Sequence, residues 1–289
     1  MAHHRLEFSK WHGIGNDYII IAAAELDFEL TPERVRLICD RHFGIGADGI
    51  LLWDTSERAQ FSLEIFNPDG STAEMCGNGI RMLASHLYLS GEAPEPEFTV
   101  HTEAGIITPR VLEDHRVRVH MGKAKLGGAN ISGYEGVPGE SEAVGERLNA
   151  GGDFYEFTFV DMGNPHCIIA TADPGAVDLA AIGPAIERHE IFPNRTNVEF
   201  IRVDGPSEVT MRVWERGVGE TNACGTGACA VAVAAARTQG ASSPMTVHLS
   251  GGDLEIEVGE DLDVYMTGPA EEIYVGEMSR AFINRLEEL

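Results

Sequence analysis

The sequence predicts an α/β (α+β) protein of two pseudo-symmetric domains, each a curved, mostly antiparallel sheet or barrel wrapped around a central helix. Three observations predict this fold. The chain of 289 residues is long enough for two domains. Its second half repeats motifs of the first at an offset of about 148 residues. Each half also contains one short, almost wholly apolar helix among short alternating strands.

The repeat is visible in matched motifs, which are sought before single sites are interpreted. The stretch FNPDGSTAEMCGNG at 66–79 matches WERGVGETNACGTG at 214–227 without a gap. The loop pair Gly15-Asn16 matches Gly163-Asn164, and the tripeptide TVH occurs at 99–101 and again at 246–248. Several matches in one order indicate two copies of one supersecondary unit.

Each copy has the same predicted order of elements. A Gly-Asn loop leads into a short aliphatic strand, Tyr18–Ile21 or Cys167–Ile169. A helix follows, clearest in the first copy, where Thr31-Pro32-Glu33 supplies an N-cap, a proline at the first helical position and an acidic first turn. The other predicted elements are the strands Phe61–Phe66, Val209–Trp214, Phe98–Thr102, Val117–Met121, Met245–Leu249 and Leu262–Met266 and the helices Ile80–Leu89 and Ala228–Ala236.

The last two helices explain the central-helix part of the prediction. They are apolar on nearly every face, yet far too short to span a bilayer. A helix of this kind must be buried on all sides. A curved sheet around each helix is the simplest solution, and we expect the two halves to face each other across a cleft.

Composition excludes several classes of partner. The formal charge of -25 and a pI of about 4.7 argue against nucleic acid and anionic membrane surfaces. The N-terminal residues lack the layout of a signal peptide, so a cytoplasmic location is expected. Three lysines against eighteen arginines fit either a salt-adapted surface or a compositional bias of the genome.

Five cysteines without a CxxC pair fit neither a disulfide framework nor a zinc ribbon. Cys39, Cys167 and Cys229 lie beside aliphatic residues, and we interpret them as small buried hydrophobes. Cys76 and Cys224 differ, because each precedes a Gly-x-Gly turn at the same place in its copy.

A cysteine at the N-terminus of a buried helix is suited to acid/base chemistry. Unpaired N–H groups and the helix dipole favour its thiolate, and the glycines let a carboxylate approach the backbone. Two facing thiols can remove a proton from one face of a carbon and return one to the other, which inverts a stereocentre. Backbone donors would stabilise the carbanion. No fingerprint of an organic cofactor is present, so none is expected.

Other interpretations of these residues stay open at this point. The two thiols could form a regulatory disulfide, or join His12 and His166 in a zinc site for which the spacing gives no support. The chain could be a two-thiol racemase of another amino acid, such as proline, or a non-catalytic amino-acid binding protein. A matched pair of thiols has no use in a binding protein, which argues against the last interpretation.

The motifs together resemble the diaminopimelate epimerase family, over nearly the whole chain from residue 10 to about 277. The resemblance rests on KWHGIGNDYIII, FGIGADGILL, FNPDGSTAEMCGNGIR, DMGNPHC, RTNVEFI, ERGVGETNACGTGA and MTGPAEEIYVGE. Proline racemases also pair two cysteines, but resemble MCGH and SPCGTG where this chain has MCGNG and NACGTG. The resemblance implies a cofactor-independent isomerase of lysine biosynthesis that converts LL-2,6-diaminopimelate to the meso form, and a homodimer.

The resemblance also implies roles for individual residues. Cys76 and Cys224 would be the acid/base thiols, supported by His166 and Glu215. From the sequence alone, His166 would instead be a hydrogen-bonded core histidine. The residues expected to bind the substrate side chains or its reacting carboxylate are Asn16, Asn67, Gly77, Asn78, Asn164, Asn197, Glu215, Arg216, Gly225 and Thr226. Neutral amides and one guanidinium suit a molecule with two amino and two carboxylate groups.

Two features depart from the family pattern. Gly49 stands where some members have glutamine, so that side-chain contact is absent. The polar segment Gly127–Asp153 is longer than usual, and we interpret it as a surface excursion. By resemblance the last residues return to the first domain, which gives domains of 1–122 plus about 275–289 and of 123–274.

Overall fold

The structure, a computed structural model, describes residues 6–134 and 142–289. The chain divides into two compact units: unit 1 runs to Val119 and resumes at Gly268, and unit 2 covers His120–Thr267. The sequence placed these boundaries at 122 and about 275. The return to unit 1 comes earlier because the strand Glu271–Met278 pairs with Leu6–Gly13.

The helices and strands follow one another in the order that the repeat predicts. Up to residue 123 they are β1 (Leu6–Gly13), β2 (Asn16–Ala22), α1 (Pro32–Cys39), β3 (Ile50–Thr55), β4 (Phe61–Phe66), β5 (Thr72–Ala73), α2 (Gly77–Leu89), β6 (Val100–Thr102), β7 (Gly105–Ile107), β8 (Arg110–Val111) and β9 (Val117–Lys123). The rest are β10 (Val144–Ala150), β11 (Asp153–Asp161), β12 (Pro165–Ala170), α3 (Leu179–Glu187), β13 (Asn197–Gly205), β14 (Glu208–Glu215), β15 (Gly219–Thr221), α4 (Gly225–Gln239), β16 (Met245–Leu249), β17 (Gly252–Val258), β18 (Asp263–Gly268), β19 (Glu271–Met278) and α5 (Arg280–Glu287).

Unit 1 is built on a sheet with the strand order β19-β1-β2-β3-β4-β6-β7. Its pairs are antiparallel except β2 with β3 and β4 with β6. A parallel pair needs a crossover connection, and α1 and α2 supply the two crossovers. Helix α2 packs against β1, β2, β8 and β19, which explains why its residues are apolar on nearly every face.

Unit 2 repeats this plan with the order β10-β11-β12-β13-β14-β16-β17-β18. Its parallel pairs are β12 with β13 and β14 with β16, connected by α3 and α4. Helix α4 contacts β11, β12, β13, β14, β16 and β17, and every residue from Ala228 to Ala235 is at most 1% exposed. The predicted fold class, a mostly antiparallel curved sheet around a central helix in each half, is confirmed.

The repeat extends to the strand register. In unit 1 Ile20 pairs with Leu51, and in unit 2 Ile168 pairs with Glu199. Both members of the second pair lie 148 residues after those of the first. Leu51 and Glu199 therefore occupy equivalent positions in the two sheets.

The helix starts follow from local capping. Thr31 Oγ1 accepts a hydrogen bond from Arg34 N at 3.4 Å, so the predicted N-cap of α1 is confirmed. Helices α2 and α4 each begin three residues before the predicted start, because Cys76 and Cys224 are their extended N-cap residues. Glycine has a low helix propensity, so the first turns do not show in the apolar pattern.

The segment Gly127–Asp153 is not simply a surface excursion, and that prediction is wrong for its described part. Ile131 and Ala143 are fully buried, and β10 pairs with β11 at the edge of the sheet. Residues 135–141 of this segment lie outside the described residues. Leu148 and Ala150 are buried while Arg147 and Asn149 are exposed, an alternation that gives an edge strand a polar composition.

The remaining cysteines match their prediction. Cys39, Cys167 and Cys229 are buried among apolar side chains, and burial raises the pKa of the Cys39 thiol to about 12. No helix among the described residues combines the length and the apolar character needed to cross a bilayer.

Candidate active site

Cys76 is the N-cap residue of α2. Its Sγ accepts a hydrogen bond from Gly79 N at 3.3 Å, so the thiol points toward the first helical turn. The residues of that turn, Gly77, Asn78 and Gly79, are buried. A Cβ at residue 79 would lie 3.0 Å from Leu51 Cδ2 and 3.6 Å from Cys76 Sγ, so the turn is closely packed against the sheet.

A chain of hydrogen bonds links the polar residues of unit 1. Asp48 Oδ2 accepts from Asn16 Nδ2 at 3.0 Å, and Asn16 Oδ1 accepts from Asn78 Nδ2 at 3.1 Å. Asn78 Oδ1 in turn accepts from Arg81 Nη2 at 2.8 Å. Arg81 is fully buried and also donates to the Gly77 carbonyl. The two asparagine side chains are thus held in one orientation by partners at both ends.

An ionic cluster supports the loop that carries Asn16. Arg41 Nη2 lies 2.6 Å from Asp17 Oδ1 and 2.7 Å from Asp48 Oδ1, and the buried Lys10 also pairs with Asp17. Burial alone would raise the pKa of Asp17, but hydrogen bonds from Arg41 and Lys10 outweigh it, and the pKa is lowered. Hydrogen bonds between charged side chains therefore hold this loop in place.

Two further predicted positions of unit 1 have specific surroundings. Asn67 Nδ2 donates to Ser71 Oγ at 3.0 Å in the turn that follows β4. A Cβ at Gly49 would lie 2.4 Å from the Phe66 carbonyl oxygen and 2.5 Å from Tyr18 Cε1. The ring of Tyr18 fills the space, so this chain has no room for a larger side chain at residue 49.

Cys224 is the N-cap residue of α4 and is 5% exposed. Its Sγ lies 3.7 Å from Thr226 Oγ1. A Cβ at Gly227 would meet Cys224 Sγ at 3.1 Å and Glu199 Oε1 at 3.0 Å. The thiol, the first helical turn and a buried carboxyl group therefore meet at one place.

A second chain of hydrogen bonds runs through unit 2. Glu199 Oε1 lies 2.6 Å from His166 Nδ1, and His166 Nε2 lies 3.1 Å from Asn164 Oδ1. Asn164 Nδ2 donates to Thr226 Oγ1 at 3.2 Å. His166 and Glu199 are both fully buried, so His166 is a hydrogen-bonded core histidine whose partners lead to the residues around Cys224.

Glu215, at the end of β14, lies beside Cys224. Burial raises the pKa of this carboxyl, against hydrogen bonds from Thr221 and Cys224 and the charge of His166. Thr221 Oγ1 donates to Glu215 Oε1. The carboxyl is thus a hydrogen-bonded neighbour of the thiol.

The pKa of Cys224 moves opposite to the sequence expectation, which was a lowered value at a helix N-terminus. Burial raises it well above its ordinary value of 9.0, and the charges of Glu215 and Glu199 add to this. The Gly227 N–H and the Thr226 hydroxyl lower it, but by less. Desolvation and two carboxyl groups outweigh the helix terminus, so Cys224 is held as a protonated thiol in this structure.

Two residues that the sequence predicts to bind the substrate lie together: Asn197 at the start of β13 and Arg216 just after the end of β14. Asn197 Oδ1 accepts from Arg216 N at 2.8 Å, and its Nδ2 donates to the Pro165 carbonyl at 2.9 Å. The exposed Arg216 side chain donates from Nη1 to the Asn194 carbonyl at 3.1 Å. The backbone of the arginine is therefore anchored while its guanidinium reaches solvent.

Each unit thus brings together its own predicted residues. Cys76, Gly77, Asn78 and Asn16 are connected in unit 1, and Asn67 makes its hydrogen bond within its own turn. In unit 2 the connected residues are Cys224, Gly225, Thr226, Asn164, His166 and Glu215, with Asn197 and Arg216 forming a second group.

Sequence reasoning missed three polar residues: Asp48, Arg81 and Glu199. Asp48 and Arg81 lie within recognised motifs, FGIGADGILL and FNPDGSTAEMCGNGIR, but carry no pattern of their own. Glu199 could have been found, because it interrupts an apolar strand at the repeat position of Leu51.

Neither alternative use of the thiols is seen within residues 6–134 and 142–289. The structure records no disulfide there. No three His, Cys, Asp or Glu side chains in the same ranges are grouped so that they could hold a metal ion.

Several solved structures share this fold at low sequence identity. A hydroxyproline epimerase from Agrobacterium vitis superposes with a TM-score of 0.67 at 14% identity, covering 96% of this chain and 94% of its own. A PhzF-family phenazine biosynthesis protein from Bacillus anthracis gives 0.66 at 17% identity, covering 95% of this chain and 99% of its own. At these identities the match concerns the fold alone.

Sequence comparison identifies the family. The diaminopimelate epimerase family model matches residues 8–127 and 158–273. A diaminopimelate epimerase of Pelotomaculum thermopropionicum is 49% identical over 278 residues, 94% of this chain and 98% of its own. One from Moorella thermoacetica is 48% identical over the same length, 94% of this chain and 99% of its own. The chain therefore belongs to the diaminopimelate epimerase family.

Proposed function

We propose that this chain is an isomerase that interconverts LL-2,6-diaminopimelate and meso-diaminopimelate, a step of lysine and peptidoglycan-precursor biosynthesis. One observation carries the proposal. In each unit a cysteine is the N-cap of a buried helix with a glycine-containing first turn, in a chain that belongs to this family over nearly its full length. The relatives' names favour this substrate over proline or hydroxyproline.

The reaction uses the two thiols in opposite protonation states. The thiolate of one cysteine removes the α-proton and becomes a thiol, and the electron pair of the broken C–H bond delocalises into the adjacent carboxylate. The other thiol then donates its proton to the opposite face of the same carbon and becomes a thiolate. These steps account for every proton and electron pair without a cofactor.

The protonation states have a physical basis in unit 2. Cys224 is buried beside two carboxyl groups, and a thiolate there would be both desolvated and repelled. Cys224 therefore acts as the acid when the free enzyme first binds substrate, and Cys76 acts as the base. In the reverse direction the roles exchange, because the first turnover leaves the proton on the other sulfur.

The first turns of α2 and α4 serve the reacting carboxylate. Backbone N–H groups at Gly77, Asn78, Gly225 and Thr226 lie among the orphan donors of their helices. They stabilise the negative charge that develops on the carboxylate oxygens, and a single preorganised donor of this kind contributes about 10² to 10³ in rate.

The amide residues bind the remote half of the substrate. Asn16 and Asn164 are held at both ends by hydrogen-bond partners, so they present fixed edges to a ligand at low entropic cost. We assign Asn67 and Asn197 to the same set, and the exposed guanidinium of Arg216 to the distal carboxylate, for which its planar fork is suited.

The direct test is proton NMR of LL-diaminopimelate in D₂O with the reduced protein. We expect the α-proton signal to fade and the meso product to form without added cofactor. Cys76→Ala and Cys224→Ala should each abolish turnover and keep the fold, checked by circular dichroism. Appreciable turnover by either variant would overturn the two-thiol mechanism, and exchange of proline in place of diaminopimelate would overturn the substrate.

We further propose a homodimer formed through β19. This strand is the edge of the sheet in unit 1 as far as the described residues extend, and Ile273, Tyr274 and Val275 on it are 51%, 43% and 62% exposed. Consecutive exposed apolar residues on an open edge favour pairing with a second copy. Sedimentation velocity should show a dimer for the wild type and a monomer for Val275→Lys. A monomeric wild type would refute the proposal.

A cytoplasmic location is proposed from the chemistry. The mechanism needs Cys76 and Cys224 reduced, and the cytoplasm keeps thiols in that state. Mild oxidation should inactivate the enzyme, and a reductant should restore it. Irreversible loss would argue against two thiols that can approach each other.

A further inference from the structure

We propose that Glu199 is a positioning residue for Cys224: it fixes the orientation of His166 and places a buried carboxyl close to the Cys224 sulfur, which Leu51 does not do for Cys76. This inference rests on the proposed two-thiol function and concerns the difference between the two half-sites. Nothing in the sequence motifs assigns a role to this carboxyl.

The strand register makes Glu199 and Leu51 strict equivalents. Leu51 pairs with Ile20 across the parallel ladder, and Glu199 pairs with Ile168 at the same offset. The antiparallel ladders on the other side of each strand keep that offset as well. The two sheets therefore have an equivalent position, which holds an apolar side chain in unit 1 and a carboxyl group in unit 2.

Both side chains pack under the first turn of a central helix. A Cβ at Gly79 would touch Leu51 Cδ2 at 3.0 Å, and one at Gly227 would touch Glu199 Oε1 at 3.0 Å. The same point at Gly227 lies 3.1 Å from Cys224 Sγ. Because Glu199 Oε1 lies 3.0 Å and Cys224 Sγ 3.1 Å from the same point, the two atoms are close neighbours.

The carboxyl is buried and only half satisfied. Glu199 is fully buried, its Oε1 lies 2.6 Å from His166 Nδ1, and its Oε2 has no hydrogen-bond partner among the described residues. Burial raises the pKa of Glu199, against the influence of His166. Keeping such a group in a core costs free energy. If stability were the only requirement at this position, a leucine would be favoured.

The pair with Glu199 fixes the ring of His166. Asn164 Oδ1 is an acceptor, so His166 Nε2 carries a hydrogen. Nδ1 then either donates to the Glu199 carboxylate or accepts the carboxyl proton, and one proton is shared in both cases. Either form locks the ring, and through Asn164 it orients the Thr226 hydroxyl near Cys224.

The ionisable groups around Cys224 come from the strands packed on α4. Glu215 on β14 and Glu199 on β13 act on it directly, and His166 on β12 faces both carboxyls. On β11, Asp161 accepts instead from Asn130 and Gly163. The His248–Asp253 pair of β16 and β17 is solvent-exposed. Glu199 and Glu215 are therefore the groups that oppose a thiolate here.

The test titrates each thiol by NMR of the full-length protein labelled with [¹³Cβ]cysteine, which needs no reagent to reach a buried sulfur. In the wild type, Cys224 should titrate above its ordinary value of 9.0. Glu199→Gln keeps a hydrogen bond to Nδ1 but removes the carboxyl, and it should lower that midpoint. The alkaline limb of the α-proton exchange rate should move with it. Glu199→Leu, which copies Leu51, should give the same shift together with a loss of rate at every pH, because His166 is no longer held.

The matched control is Glu187→Gln. Glu187 is as deeply buried, at 2% exposed, but its carboxyl accepts from Trp214 Nε1 and Gly217 N and does not act on Cys224. It should leave the Cys224 midpoint in place. The inference is overturned if Glu199→Gln leaves the midpoint unmoved, or if wild-type Cys224 titrates at or below 9.0. The second criterion holds even if both Glu199 variants fail to fold. Neither result touches the proposed epimerisation, which the wild type and the cysteine variants decide by turnover.

Discussion

Gly49→Ala tests whether the close packing beside Asn16 dictates the residue at this position. The added Cβ would lie 2.4 Å from the Phe66 carbonyl oxygen and 2.5 Å from Tyr18 Cε1. Phe66 pairs with Ile50 in the β3–β4 ladder, so its carbonyl cannot move without disturbing the sheet. Overpacking of a core costs about 1–3 kcal/mol. Because one of the two clashes is with backbone, we expect a loss near the upper end, ~3 kcal/mol.

Thermal unfolding measures this loss. For a domain of this size each kcal/mol lowers Tm by about 2–4 °C, so Gly49→Ala should melt about 6–12 °C below the wild type. The control is Gly205→Ala, whose new Cβ would meet nothing closer than 3.8 Å and should change stability by at most about 0.5 kcal/mol. Similar Tm values for the two variants would refute the packing argument. KM for diaminopimelate should also rise in Gly49→Ala, because the neighbouring Asp48 holds Asn16.

Three other substitutions have expected outcomes. Glu215→Gln should lower the exchange rate by about 10²-fold or more in the NMR assay, since it removes the carboxyl beside Cys224; an unchanged rate would contradict that role. Thr31→Ala should cost about 1 kcal/mol in urea unfolding through loss of the α1 N-cap, and Thr31→Ser, which keeps a capping hydroxyl, should restore most of it. Asp17→Asn should cost about 3–5 kcal/mol at pH 7, because Lys10 is left buried without its carboxylate. The pKa of Asp17 is lowered from 3.8, so its contribution is present above that pH and is lost as pH falls through the lower folded value. The difference from the wild type should shrink in acid, and a constant difference from pH 7 to pH 2 would contradict the assignment.

The sequence was sufficient where a signal is local or duplicated. Thr31 and Pro32 define a helix start by capping chemistry, and the structure confirms it. The central helices were predictable because an all-apolar stretch of that length must be enclosed, and the repeat then supplied the second copy. The strand β10 was missed because an edge strand alternates polar and apolar residues, and small residues such as Ala150 weaken the apolar half of the pattern.

The pKa of Cys224 shows why a correct rule can still give the wrong direction. A helix N-terminus stabilises a nearby charge by about 0.3–1 kcal/mol, and by about 2 kcal/mol in the best buried cases. Full burial can shift a pKa by about 3–5 units, which is several kcal/mol. The sequence shows that the cysteine caps a helix, but its burial and the approach of Glu199 come from the sheet register. Desolvation, the stronger of the two effects, therefore becomes visible only when the strands are paired.

The proposed chemistry explains why the two units share one fold but differ in the side chains around their cysteines. A site with two thiols or with two thiolates cannot both remove a proton and deliver one. If both half-sites treated their thiols alike, nothing in the protein would decide which cysteine loses its proton first. At three repeat positions unit 2 has a histidine or a glutamate where unit 1 has a different residue. The pairs are Tyr18 and His166, Leu51 and Glu199, and Asn67 and Glu215. These changes gather the buried carboxyls around Cys224 and leave the strand register of the two units the same. A symmetric fold can thus hold two identical side chains in opposite protonation states, since the asymmetry lies in their neighbours and not in the cysteines.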